Sequence, residues 1–454
     1  MKTSEVPNLR IRAYSEHDEV YQFAEWLVDD YFSKKKRMRD RQKYILTARK
    51  LIASIWLVDG DLFRFTTKTD YFSGKNKKQV WMTVKTLKLF QHLKSIRPKL
   101  INLVVKGVPP DVSKTGKGLN TVYCRTKKFS DRLKNLKEVD ILPNPELEHI
   151  ELNSDIDKNI PISESVKQEE WYKHSQEVMA RHYELLRNSN ILKSNGNGVA
   201  PIEYFYQRKF KNDFSSGGRW YSDFTRWSKK DRLGIKINDI SVASIDISQL
   251  HPTLIMRLIH NQDIEPIGMF RGELKDAYDM PKYKHLPRAA HKKIINTLFN
   301  AKNLDSAVRS IMTAHISKNT DGEIICNTYK SGQKRVGVKV FRDNKVGVLN
   351  YISEFKLMHP YYAEGICSGV GIKLQYMDSN LVTNFIDVAS NVGIPILPVH
   401  DEFIFPSNRL EDVKELLRKV FQITFGHMGK VGNLRCSISS IKFPTYQISL
   451  ELES

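Results

Sequence analysis

The stretch "ILPVHDEFIFP", residues 396–406, decides the fold. Apolar residues flank His400-Asp401 on both sides, so the stretch reads as two strands folded back around that pair, with Asp401 set in an otherwise hydrophobic hairpin. A second stretch, "SVASIDISQLHP" at 241–252, ends its own apolar run on Asp246. A carboxylate buried without a partner neutralises or is strongly destabilising, so two of them in strand-like settings imply a shared compensating charge. A divalent cation supplies one. Two Mg²⁺ ions about 4 Å apart, bridged by two aspartates, suit in-line displacement at phosphorus. Magnesium also keeps waters and substrate phosphates in its shell, so two carboxylates suffice. Each acid has a plainer reading too: Asp246 as the cap of a helix starting at "SQLHP", and Asp401 as a turn residue.

A third segment favours the metal. "LPRAAHKKIINTLFNAKN", 286–303, has helical periodicity, and Arg288, Lys292, Asn296 and Asn300 fall four residues apart on one slowly drifting face. No acid stands between 288 and 304. Two cations and two amides on such a face suit a triphosphate, the guanidinium gripping oxygens in pairs and the lysine acting as a mobile point charge.

Taken in their order along the chain, the three segments resemble family A DNA polymerases, the bacterial DNA polymerase I type. Asp246-Ile247-Ser248-Gln249-Leu250-His251 is similar to the family's motif A at Asp, Ser and Gln; Arg288 and Lys292 match the first half of motif B; "VHDEF", 399–403, matches motif C. "GGRWYS", 217–222, resembles the family's Thr-Gly-Arg segment, and "LQYMDSN", 374–380, its glutamine-bearing segment before motif C. The resemblance implies an α+β fold, a polymerase palm with an antiparallel sheet and helical fingers, over residues 200–454. It implies metal ligation by Asp246, Asp401 and the Ile247 carbonyl, with two Mg²⁺ ions that Mn²⁺ could replace. It implies nucleotide binding by Arg288, Lys292, Asn296, His251 and Gln249, with Lys292 also donating a proton to pyrophosphate. Arg219, Gln375, His400 and Asn300 would then meet the primer-template. Glu402 would stand beside the metals. The activity implied is template-directed addition of dNTPs to a primer 3′ end. His251, Asn296 and Asn300 depart from the family's pattern, where a glutamate and two aromatic positions govern sugar and template-base selection. That departure keeps open a ribonucleotide-using or untemplated nucleotidyltransferase, and a DNA-binding protein with an inactive core is the remaining alternative.

Composition agrees with a polyanionic partner. Lys and Arg number 72 against 51 Asp and Glu, a net charge of +21. No stretch approaches a membrane span, and the first 20 residues lack the apolar core of a secretion signal, so the expected location is the cytoplasm, with no membrane partner. Cys124, Cys326, Cys367 and Cys436 lack the close spacing of a zinc or dithiol site. The compact build suggests replication of a mobile element.

Residues 1–137 form a basic nucleic-acid-binding region. It has helical periodicity at 17–32 and 41–58, a basic amphipathic helix at "KNKKQVWMTVKTLKLFQHLKSI", then two strands at "INLVVKG" and "NTVYCRT". Helices followed by a hairpin match the order of a winged helix. Residues 138–199 read as an acidic, proline-containing linker at 138–170 and a helix at 171–192, ended by "SNGNG".

Overall fold

The computed structural model describes residues 9, 11–33, 40–58, 60–65, 83–106, 121–155, 160–247, 250–260, 278–319, 322–329, 335–342 and 344–425. It is a mixed α and β structure of small antiparallel sheets, with no closed barrel among the described residues. Two compact units divide it: unit 1 holds 1–207 and 222–227, unit 2 holds 208–221 and 228–454. No helix among the described residues is long and apolar enough to cross a membrane. Cys124, Cys326 and Cys367 are free thiols, and Cys436 lies outside the described residues.

Unit 1 begins with β1 (Ala13–Ser15), α1 (Asp18–Ser33) and α2 (Arg41–Trp56). Val20, Phe23, Ala24, Leu27, Val28 and Phe32 recur every three or four residues along α1, and this stripe packs into one core with Ile45, Ala48 and Ile52 of α2. Next come β2 (Leu62–Arg64), α3 (Val84–Ser95), β3 (Ile101–Val105) and β4 (Val122–Arg125), the strands pairing in the order β2-β4-β3. Thr83 caps α3, accepting from the Thr86 amide while the Thr86 hydroxyl accepts from the Thr83 amide. The short α4 (Lys127–Ser130) follows β4.

The acidic stretch 138–170 is not a free linker. It forms β5 (Ile141–Pro143), β6 (Ile150–Asn153) and α5 (Glu164–Gln168), with Ile141 opposite Ser15 of β1 and Ile141, Leu147 and Ile150 buried. Three apolar anchors outweigh its acidic composition. The expected helix is α6 (Glu170–Arg187), and β7 (Ile191–Leu192) follows it.

His182 sits in the apolar stripe of α6 with Val178, Met179 and Leu186. Burial, with the nearby His149 adding to it, pushes its pKa down to about 3. Its folded-state pKa is thus depressed below the unfolded value of 6.5, so on acidification the unfolded chain takes up the proton first. The stability is present above about pH 6.5 and is lost as pH falls toward about 3, at roughly 1.4 kcal/mol per pH unit. Urea midpoints of the wild type should fall through this window, and His182→Gln should flatten the fall. An identical pH dependence in the variant would refute the assignment.

Unit 2 opens with β8 (Gln207–Lys211) and β9 (Asp213–Tyr221), then α7 (Lys229–Leu233), β10 (Lys236–Ile237), β11 (Ile240–Asp246) and α8 (Leu250–His260). After α9 (Arg288–Asn300) and α10 (Leu304–Ile311) comes a three-stranded sheet of β12 (Ala314–Lys318), β13 (Ile324–Thr328) and β14 (Val338–Lys339), in the order β13-β12-β14. The chain ends its described part with α11 (Asn344–Met358), α12 (Gly371–Asn391), β15 (Leu397–Val399), β16 (Glu402–Pro406) and α13 (Leu410–Phe425). Within unit 2, β15, β16, β11 and β10 lie side by side in that order. Val242, Ala243, Ser244 and Ile245 are all buried, which marks β11 as a central strand covered on both faces.

Candidate functional site

The hairpin expected at 396–406 is present: Val399 pairs with Glu402, which leaves His400 and Asp401 as the two turn residues. His400 takes the left-handed φ of 60° that a primed two-residue turn needs. Strand β16 then pairs antiparallel with β11, placing Glu402 opposite Asp246, and the Ile247 amide donates to the Asp401 carbonyl at 3.2 Å. Sheet register thus brings Asp246 and Asp401, far apart in sequence, to the same end of the sheet.

Both line one cavity of about 190 Å³ with Ile247, Leu250, His251, Arg219, Tyr278, Arg288, Lys292 and Asn296. The lining thus combines two carboxylates with three cations, Arg219 from β9 and Arg288 and Lys292 from α9. Arg288, Lys292 and Asn296 reach the cavity, but Asn300 does not. Each four-residue step overshoots a full turn by about 40°, so three steps carry Asn300 about 120° round the helix. There its Nδ2 donates to the Asn296 carbonyl, and its Oδ1 lies against Gly371, where a Cβ would require the Asn300 amide to shift. The Arg288 guanidinium lies 5.0 Å over the buried ring of Tyr278.

Arg219 comes from β9. Gly217 and Gly218, at φ of 76° and 75°, bend the strand; a Cβ on Gly218 would meet the Phe210 ring at 2.8 Å. The buried Arg208 fastens this bend to α12 by donating to the Gly218 carbonyl, Ser379 Oγ and Asn380 Oδ1. Trp220 Nε1 adds a bond to Thr383 Oγ1 at 3.0 Å.

Asp378 of α12, which no motif reading singled out, organises this side of the cavity. It is 1 % exposed; Arg219 Nε donates to its Oδ2 at 2.9 Å, and His251 Nε2 lies 2.9 Å from the same oxygen. Arg219 Nη2 lies 2.9 Å from His251 Nε2. Burial opposes the charge on Arg219, but the hydrogen bond and field of Asp378, with Asp401 adding, hold its pKa above the ordinary guanidinium value. Leu374, Asp378, Leu381 and Phe385 follow a helical stripe, so an acid standing on an apolar face was the signal in the sequence.

Other expected site residues stand apart from the cavity. Gln375 lies on α12, half-buried, one turn before Asp378. His400 packs edge-on against Tyr221 at 5.5 Å, and burial, then the Arg219 charge, lower its pKa. Glu402 turns to Arg232 at 3.1 Å. Gln249 lies outside the described residues.

The donor set fits a hard cation. Two carboxylates share the cavity, and Asn296 brings a buried amide oxygen that meets no hydrogen-bond partner among the described residues. No cluster of three or more His, Cys, Asp or Glu gathers among those residues, so water and substrate phosphate would complete the shell.

No family model, no curated protein and no solved structure matches the chain.

Proposed function

We propose that unit 2 is a template-directed DNA polymerase that adds dNTPs to a primer 3′ end by nucleotidyl transfer. The observation that carries this reading is the meeting of Asp246 and Asp401 at one sheet end, in a single cavity that Arg288 and Lys292 also line. Asp246 and Asp401 would hold Mg²⁺, which would supply activation of the attacking oxygen and charge stabilisation at phosphorus. Arg288, oriented by the Tyr278 ring, grips the triphosphate, and Lys292 neutralises it and stands ready to protonate departing pyrophosphate. His251 and Arg219, both fixed by Asp378, border the cavity where the sugar and primer end would meet.

Lys292 is exposed at the cavity, so its ammonium is open to an incoming phosphate. Lys292→Ala should raise the KM for dNTP by roughly 10- to 100-fold, the range of one charge-assisted hydrogen bond, with primer-template affinity unchanged. Unaltered steady-state incorporation in this variant would remove Lys292 from the site.

The reading as a whole is tested with a labelled primer on a defined template, Mg²⁺, and dNTPs or rNTPs in separate reactions. Extension to the template end with dNTPs supports it. Extension with rNTPs, or tails that ignore the template, would favour the second reading, to which His251 in the cavity points. No extension with DNA bound would mean an inactive core.

A further inference from the structure

Unit 1 has a charge distribution that the chemistry of unit 2 does not use. From residue 71 to 110 the sequence has no Asp or Glu, although the chain has 51 of them in 454 residues, and it carries Lys75, Lys77, Lys78, Lys85, Lys88, Lys94, Arg97, Lys99 and Lys106. The described part of this run is α3 and β3, and β4, which pairs with β3, adds Arg125 and is followed by Lys127 and Lys128. Thr86, Leu87, Leu89, Phe90 and Leu93 bury one side of α3, leaving Val84, Lys88, Gln91 and Ser95 on an exposed stripe at three- and four-residue spacing.

The two flanks of this stripe differ. On one side, Lys85 pairs with Asp40, which precedes α2, at 3.6 Å, and His92 with Asp30 of α1 at 2.8 Å, so carboxylates stand against that flank. On the hairpin side, Lys94 lies 5.4 Å from the centre of the Tyr123 ring, and among the described residues of 60–65, 96–106 and 121–128 the one acid is Asp61, held by Arg125 at 2.8 Å. Exposed Lys88, Lys99 and Lys106 pair with no carboxylate among the described residues. Strand order β2-β4-β3, with the helix entering directly before the last two strands, sets α3 beside a two-stranded hairpin.

We propose that this face, α3 with Lys88, Gln91 and Ser95, flanked by Arg97, Lys99 and Lys106, is a second nucleic-acid site that binds a B-form DNA duplex. A helix of 12 residues is about 18 Å long and enters a major groove about 12 Å wide, where glutamine can read adenine edges while lysines meet phosphates. The deep, narrow major groove of an RNA duplex does not admit it. Such a site tethers unit 2 to a duplex independently of any primer end.

The test uses the full chain and a fluorescent DNA dumbbell, a duplex closed by loops at both ends and so without a 3′ end for unit 2. Anisotropy across a salt series should show binding that weakens with salt. Lys88→Ala should reduce the slope of log K against log salt by about 1, and Lys88→Glu with Lys99→Glu should weaken binding at least tenfold, with thermal melting unchanged because both side chains are exposed. Asp401→Asn should bind the dumbbell like the wild type, which separates this site from the proposed polymerase chemistry. Equal dumbbell affinity in the double variant would overturn the proposal. So would tighter binding to a single strand of the same length, or to anionic phospholipid vesicles, than to the closed duplex.

Discussion

Asp401→Asn is expected to lower nucleotide incorporation by at least about 10³-fold while leaving the fold and DNA binding intact. The reason lies in the turn. Asparagine is as well suited to a tight hairpin turn as aspartate, and the contact that ties this turn to β11 uses the backbone carbonyl of residue 401, which the substitution keeps. What is lost is a carboxylate from the cavity that Arg288 and Lys292 also line. Asp246→Asn should behave in the same way, because Asp246 lies at the adjoining strand end. Melting curves that match the wild type, with incorporation gone, would assign both carboxylates to chemistry. A large loss of stability in either variant would instead assign them to holding the strands together.

Asp378→Ala is expected to be the most damaging substitution for stability. Arg219 is largely enclosed and Asp378 fully so, so removing the acid leaves a buried guanidinium without its counter-charge, at a cost of about 3–5 kcal/mol. It also frees Arg219 and His251 at the cavity, so incorporation should fall with it. The conservative Asp378→Asn keeps the volume but loses the charge; it should recover part of the stability and raise the KM for dNTP more than it lowers kcat. A double-mutant cycle with Arg219→Ala isolates the pair, and strong coupling is expected because the two are in direct contact. Additive effects would mean that Asp378 acts through α12 alone.

The contrast between these two acids shows what the sequence could reveal. Asp401 interrupts a hydrophobic run at a turn, and alternation of apolar residues is a local signal, so the hairpin and its acid were legible. The four-residue spacing on α9 was legible for the same reason for Arg288, Lys292 and Asn296, while the helical drift that removes Asn300 is small per step and large after three. Asp378 shows in the sequence only as an acid on an apolar helix face, while its partners Arg219 and His251 are brought to it by chain reversals that no local pattern encodes. In unit 1 the same limit hid β5, three residues long, whose partner β1 lies at the other end of that unit's sequence. Its acidic surroundings suggested a linker, and three buried apolar side chains decided otherwise.

The most direct test of the central claim is single-nucleotide insertion by the purified protein on four primer-templates that differ only at the templating base, with Mg²⁺ and each dNTP supplied singly, beside Asp401→Asn. The account predicts that the wild type inserts the complementary dNTP on each template and that Asp401→Asn inserts none. Insertion that does not follow the templating base, or insertion that survives in Asp401→Asn, would contradict it.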